Sequence, residues 1–291
     1  MIGTPRRLPS TVRDWQRILD SVGLRPSKGR GQNFLVDDDI VQQILSLAEL
    51  GPHDAVFEVG PGLGSLTGHL LRTVDHVTAV ELDWTLAKYL EITFGEDPRL
   101  HLLQRDVLSV DLSAHFAERP TKVVSNLPYS AAAAIVRHIL ESDPPAISVT
   151  VMVQLEVAER MLAQPPDMGL LSVATQIYAE TEMGFLVPPD VFLPAPEVES
   201  AVIVLRPYPT PLVPRLDAPM FFTMVSAGFR HKRKNIANSM EIELRVPKAQ
   251  LVERLRWVEI DPTRRAETLS IDEWLALFRV WPSDDQPEAA G

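Results

Sequence analysis

The sequence contains no cysteine. Disulfides, thiolate metal ligands and cysteine nucleophiles are therefore excluded as means of holding the fold or doing chemistry. It also lacks any apolar run near the ~18 residues that a bilayer crossing needs, so no membrane span is expected. The first ten residues carry arginines but no apolar stretch, which argues against a secretory signal. Asp14 and Asp20 argue against an organelle transit segment. No internal repeat is visible. What remains has the composition of an ordinary globular enzyme, with 291 residues, 45% of them apolar and 23% charged. That length suits one domain of about 200 residues and a smaller one.

The net charge of −11 argues at first against a nucleic-acid partner. Its distribution argues the other way. Residues 1–31 hold seven Lys/Arg against two acids, and residues 229–265 hold ten against five. The remaining chain has 11 basic and 32 acidic residues. A chain polarised in this way can present a local basic surface to phosphates despite a negative total. Solvated helical faces would give the same count.

Residues 11–22 read as an amphipathic helix with Ser10 as N-cap and Gly23 as its stop. Residues 37–50 read as a second, ended by Gly51-Pro52. Apolar strands and helices then alternate: strand 55–59, helix 65–73, strand 76–80, helix 84–94, strands 100–103 and 122–125, helix 131–141, strands 147–153 and 201–205. Such alternation predicts an α/β domain with a mainly parallel sheet covered by helices on both faces. Pro207, Pro209, Pro211, Pro214 and Pro219 then punctuate a stretch that cannot hold regular structure. The expected division is a basic arm (1–31), an α/β domain (32–207), a proline-rich linker (208–218), a small all-helical domain (219–281) and a flexible tail (282–291).

Glu58-Val-Gly60-Pro-Gly62-Leu-Gly64 follows an apolar strand and opens a helix. Glycines permit a tight turn and close approach of backbone to a ligand. The G-x-G-x-G spacing differs from the G-x-G-x-x-G of dinucleotide sites, the obvious competitor. A carboxylate at Glu58 would oppose a pyrophosphate, yet suits S-adenosylmethionine, which has no phosphate and carries a sulfonium and an ammonium. Glu81, at the end of the next strand, is placed to accept from ribose hydroxyls. Asp106 follows the third strand at the same edge and could accept from an adenine amine. A surface acid after a strand is the plain reading of any one of these; three on successive strand ends fit a ligand crevice better.

Asn126-Leu127-Pro128-Tyr129 directly follows the strand 122–125. An adenine N6 amine is a poor nucleophile because its lone pair is delocalised into the ring. Two acceptors on its two hydrogens, the Asn126 side-chain oxygen and the Leu127 carbonyl, would draw the nitrogen towards a pyramidal, reactive shape. Pro128 stiffens the turn. Tyr129 offers a ring for a target base. This chemistry needs positioning and electrostatics, with no metal. Phe192, in a loop with four prolines in nine residues (188–196), is a second candidate to sandwich a flipped base, or else a core plug.

These residues resemble the ribosomal RNA adenine N6-dimethyltransferases, most closely their small-subunit branch. The likeness runs from about Gly31 to Ser270. It comprises Gly31-Gln-Asn-Phe-Leu35, the Glu58–Gly64 loop, Val80-Glu-Leu-Asp83, Asn126-Leu-Pro-Tyr129 and the 188–200 loop. Phe229-Arg-His-Lys-Arg-Lys-Asn235 and Ile260-Asp-Pro-Thr-Arg-Arg-Ala-Glu267 belong to it in the helical domain. The resemblance implies a Rossmann-like methyltransferase domain with a small helical domain. It implies S-adenosylmethionine as cofactor and dimethylation of two adjacent adenosines near the 3′ end of small-subunit RNA.

By position, Asn33 and Leu35 would border the cofactor, and Gly60, Gly62 and Gly64 would form its loop. Glu81 would hold its ribose, Asp106 its adenine, and Asn126 would lie between cofactor and target. Arg230, Lys232, Arg233 and Lys234, with part of the 1–31 arm, would contact phosphates of a pre-30S-type particle. A monomer in the cytoplasm is expected. Two residues depart from the family pattern: Ser130 stands where bacterial members usually have Asn, and Leu155 where Lys is usual. The competing readings are a large-subunit methyltransferase giving antibiotic resistance and a mainly non-catalytic ribosome-assembly or transcription factor. The first commonly has Ile in place of Leu127; the second is opposed by the intact acids and Asn126.

Overall fold

The computed structural model describes residues 9, 11–23 and 32–281. The chain divides into two compact units, Met1–Ala158 with Glu180–Pro207, and Glu159–Ala179 with Tyr208–Gly291.

The first unit is built on a seven-stranded sheet. Its strands are β2 (Ala55–Val59), β3 (His76–Glu81), β4 (Leu100–Gln104), β5 (Thr121–Asn126), β6 (Ser148–Gln154), β7 (Ala179–Val187) and β9 (Ser200–Pro207), in the order β4-β3-β2-β5-β6-β9-β7. The pairs β2–β3, β3–β4, β2–β5 and β5–β6 are parallel, and β6–β9 is antiparallel. β1 (Phe34–Leu35) and β8 (Phe192–Leu193) form a separate antiparallel pair. Helices α1 (Val12–Val22), α2 (Asp38–Leu47), α3 (Ser65–Thr73), α4 (Trp84–Phe94), α5 (Leu112–Glu118) and α6 (Ala132–Leu140) complete the unit.

β2 is buried at all five positions, as a parallel strand covered on both faces must be. Chain order reverses between β2 and β5: β3 and β4 lie to one side of β2, and β5 and β6 to the other. Such a switch point leaves a crevice at the carboxyl ends of the strands.

The helix expected at 11–22 with Gly23 as its stop is present as α1. α1 buries Trp15 and Leu19 in a cluster with Phe34, Leu63 and Leu86. Its N-cap is Thr11, whose side chain accepts from the Asp14 amide, and Gly23 closes it with φ +68°. Arg17 pairs with Asp14 and so is not a free cation. Ser10, most of the arm and the 282–291 tail lie outside the described residues.

The second unit departs from the linear division. α8 (Leu170–Gln176) and the end of α7 (Leu155–Leu162) group with the C-terminal helices α9 (Ala218–Phe229), α10 (Ile236–Leu244), α11 (Lys248–Trp257) and α12 (Ile271–Arg279). The Met168 amide donates to the Glu267 carbonyl, and the Gln176 amide donates to the Met161 and Ala163 carbonyls. The proline-rich stretch is irregular, yet it is no loose tether. Tyr208 and Leu212 donate their amides to the Tyr178 and Ile177 carbonyls, and Val213 is buried. Within this unit a Cβ at Gly228 would meet the Trp274 ring at 2.5 Å, so the glycine is what lets that ring pack on α9.

Candidate active site

The carboxyl ends of β2, β3, β4 and β5 open into a cavity of about 790 Å³. Glu58, Gly60, Gly62, Glu81, Asp106, Asn126, Leu127 and Pro128 line it, with Asn33 and Leu35 from the strand region around β1.

The glycine turn shapes its floor. Gly62 and Gly64 have φ of +58° and +79°, values that L side chains rarely adopt. A Cβ at Gly62 would lie 2.8 Å from Phe34, and one at Gly64 would lie 2.6 Å from Phe94. Gly64 does not line the cavity; it serves as N-cap of α3 and leaves room for α4.

Glu81 ends β3 almost wholly buried, 6% exposed. Its Oε2 accepts from the Gly62 amide at 3.1 Å and its Oε1 from the Asp83 amide at 2.9 Å. The glycine turn and the acid therefore fix one another before any ligand arrives. Burial raises the Glu81 carboxyl above the usual range, against those two amide bonds. Glu58 is 1% exposed, and its Oε2 accepts from the Thr67 hydroxyl at 2.7 Å. Burial pushes its carboxyl up to about 8, against the Thr67 bond, and the nearby Glu81 adds to the rise. Loss of water therefore disfavours the ionised form of Glu58, and a nearby cation would favour it. Asp106 is exposed at the rim, its Oδ1 accepting from the Leu108 amide.

The tetrapeptide closes the other wall. The Asn126 Nδ2 donates to the Asn33 carbonyl at 3.4 Å, and Oδ1 has no donor among the described residues. The Leu127 amide donates to the Met152 carbonyl at 3.1 Å, which fastens the turn to β6. Ser130 is exposed and lines the cavity. Tyr129 does not line it; the ring is half-buried, and its hydroxyl lies 2.6 Å from the Ser200 Oγ on β9. Burial raises the Tyr129 phenol.

Of the two readings of Phe192, its burial fits the core plug. It is 3% exposed and packs with Leu35, Val41 and Val187, so its ring is not presented to a base. Its strand instead pairs Leu35 with Phe192 and Phe34 with Leu193, and the Leu35 carbonyl accepts from the Ser65 hydroxyl. Phe192 thereby holds the segment that carries Asn33 and Leu35.

Several cavity residues have no role assigned from sequence, Leu82, Trp84, Arg105 and Leu108 among them. Leu82 and Trp84 are 67% and 61% exposed at its mouth, and Arg105 and Leu108 line it too. Their positions directly after Glu81 and beside Asp106 were the available signal. Among the described residues no group of three or more His, Asp or Glu could hold a metal ion, and no helix is long and apolar enough to cross a membrane.

In the second unit, Arg230, Lys232, Arg233 and Lys234 are exposed in the turn between α9 and α10, just before that helix. No ion pair holds them among the described residues. Arg264, by contrast, is spent on Glu273, which also accepts from the Ser270 amide in the capping box of α12.

The residues present suit S-adenosylmethionine. The Gly60–Gly62 turn, at whose Gly62 a Cβ would strike Phe34, sits beside two buried carboxyl groups whose ionised forms a cation would favour. Glu58 and the Gly60–Gly62 turn would hold its charged end, Glu81 its ribose and Asp106 its base.

The chain is similar to known proteins over most of its length. The chain is 40% identical over 290 residues to ribosomal RNA small subunit methyltransferase A of Moorella thermoacetica, covering 96% of this chain and 98% of that one. It is 39% identical over 275 residues to the protein of the same name from Alkaliphilus oremlandii, covering 92% and 96%. Among solved structures, the 23S rRNA methyltransferase ErmE matches with a TM-score of 0.67 at 29% identity, over 85% of this chain and 98% of that one. A dimethyladenosine transferase from Plasmodium falciparum shares the fold, with a TM-score of 0.70 at 20% identity over 84% and 95%. The family model described as ribosomal RNA adenine dimethylase matches residues 25–281. The chain belongs to the ribosomal RNA adenine dimethylase family.

Proposed function

We propose that this chain uses S-adenosylmethionine to dimethylate N6 of two adjacent adenosines in the loop of a hairpin near the 3′ end of small-subunit ribosomal RNA. It would act as a monomer, in the cytoplasm, on a pre-30S-type particle. One observation carries the reading. Glu58, Glu81, Asp106 and Asn126, from the carboxyl ends of four successive strands, line a single cavity beside a glycine turn. Relatives at 37–40% identity bear the small-subunit name, and this supports that substrate over the large-subunit one.

When bound, the cofactor supplies a methyl group activated by its sulfonium. The protein's part is to orient and polarise the amine. Asn126 Oδ1, which has no donor among the described residues, accepts one N6 hydrogen, and the Leu127 carbonyl accepts the other. The tie from Asn126 Nδ2 to the Asn33 carbonyl and the tie from Leu127 to Met152 keep both acceptors in place. Such preorganised dipoles lower the barrier without a strong base; each transfer would leave the cofactor as its neutral thioether and release the N6 proton, acidic once the nitrogen is methylated, to water. Tyr129, half-buried and bonded to Ser200, stacks on the target base at the edge of the site. Arg230, Lys232, Arg233 and Lys234 contact phosphates.

The test is single-turnover methyl transfer to small-subunit particles from cells lacking the enzyme, followed by primer extension across the 3′ hairpin. Two adjacent stops should appear only with enzyme and cofactor. Methyl transfer to large-subunit RNA with none to small-subunit particles would overturn the assignment.

A further inference from the structure

Trp257 is an unexpected residue to leave in water. It ends α11 with 78% of its surface exposed, whereas Trp274 and Trp281 of the same unit are 0% and 8% exposed. An indole is a large apolar surface that folding ordinarily removes from solvent. Its place in the unit is informative. α10 and α11 pack on one another and are joined only by Arg245–Pro247, so the end of α11 returns towards the start of α10. A hydrogen bond fixes that return: the Ile236 amide, at the first residue of α10, donates to the Arg264 carbonyl at 2.8 Å. The segment leaving Trp257 is thus fastened beside the turn that carries Arg230, Lys232, Arg233 and Lys234, all exposed. Arg256 is exposed next to Trp257, with Glu253 and Glu259 as flanking acids. The stretch 229–265 still holds ten basic residues against five acidic ones.

We propose that Trp257 and the adjoining basic turn form one RNA-docking surface, in which the indole stacks on an unpaired base while the turn's cations hold the flanking phosphates. The inference rests on the RNA substrate proposed above and adds a contact remote from the methyl-transfer chemistry. Charge complementarity of the exposed basic turn favours a polyanion. The flat ring favours a polyanion that has bases, since any base offers a π-face for stacking.

The experiment compares wild type with Trp257→Ala, Trp257→Phe and a variant with all four turn cations changed to Gln. Binding is measured to the small-subunit 3′ hairpin RNA and to heparin, a polyanion without bases. Trp257→Ala should weaken RNA binding about 5- to 150-fold, the range that one stack of ~1–3 kcal/mol gives, and Trp257→Phe should restore most of it. Heparin binding should be unchanged in both. RNA, but not heparin, should quench tryptophan emission in wild type, and that quench should shrink in Trp257→Phe. The four-cation variant should lose affinity for both ligands. Unaltered RNA binding by a folded Trp257→Ala protein would overturn the stacking role alone. So would equal losses for RNA and heparin, or self-association that disappears with the indole. Failure of wild type to bind the hairpin or the intact particle would instead remove the RNA reading on which this one rests.

Discussion

The two ends of the central sheet both disfavour charge, but they differ in what could restore it. At the carboxyl ends, a cavity of about 790 Å³ gathers Glu58 and Glu81, both raised by burial, beside the glycine turn. At the amino ends of β2, β3 and β5, a cavity of about 230 Å³ is lined by His76, His115, Glu118, Arg119 and Thr121. There burial lowers His76, with Arg119 and then His101 adding to the fall. Burial likewise lowers His115, against Glu118, with His76 and His101 reinforcing it. Both ends disfavour the charged form for the same reason, loss of water. They differ in what could restore it. The acids face a ligand-sized space, and a bound cation would stabilise their ionised forms. The histidines share a space too small for such a ligand with an arginine and one another. The same physics leaves one end poised for binding and makes the other only sensitive to acid.

The strongest way to break this contrast is Asn126→Ala at the carboxyl end. It should cut kcat by roughly 10²-fold or more, the scale of removing one preorganised polar group, with cofactor affinity little changed. Single-turnover kinetics with calorimetric cofactor binding would check it. Normal chemistry in that variant would sever the link between this end of the sheet and catalysis.

Next in size is Glu81→Ala. It removes the acceptor proposed for the ribose and also frees the Gly62 and Asp83 amides. S-adenosylmethionine affinity should fall by about 2–3 kcal/mol, as for charge-assisted hydrogen bonds. Unchanged affinity by calorimetry would remove Glu81 from the site.

Glu58→Gln sharpens the contrast through pH. Because the Glu58 carboxyl is raised from 4.5 to about 8 on folding, its contribution to stability is complete below pH 4.5 and is lost as pH rises through about 8. The Gln variant should therefore lose less stability than wild type over pH 5–8.5 when no cofactor is bound. Cofactor binding near pH 7 should release close to one proton in wild type and fewer in the variant, measured by calorimetry in buffers of different ionisation enthalpy. Equal proton release in both would mean that Glu58 does not answer the cofactor's charge.

The smallest effect belongs to the amino end. His76 and His115 are lowered on folding, so the folded state takes up protons less readily than the unfolded chain, and stability falls as pH drops below about 6.5. Changing both to Gln should flatten that fall by no more than about 2 °C in Tm, since the groups are partly solvated. Methyl transfer should be unaffected. A large loss of activity would show that the two ends are coupled.

How much of this was legible in the sequence depended on the range of the forces involved. The bounds of β2, α3 and α4 agree with the periodicity because an apolar run, a glycine turn and an Asp cap are local signals. β7 escaped it. Glu180 and Glu182 stand in a strand at the sheet edge with most positions out of the core, so no alternation marks it. α5, α7 and α8 are seven or eight residues long and take their stability from packing more than from their own pattern.

The sequence by itself determined the α/β class, the glycine turn, the acids at the strand ends and the polarised placement of basic residues. Each is a matter of residue type and spacing within a few turns of chain. Only the tertiary structure decided that Phe192 faces the core, that burial raises the Glu58 carboxyl, and that residues 159–179 group with the C-terminal helices. It also decided that Trp257 is left exposed at the end of α11. Burial and proximity between distant segments settle all four, and neither is written in any short stretch of sequence.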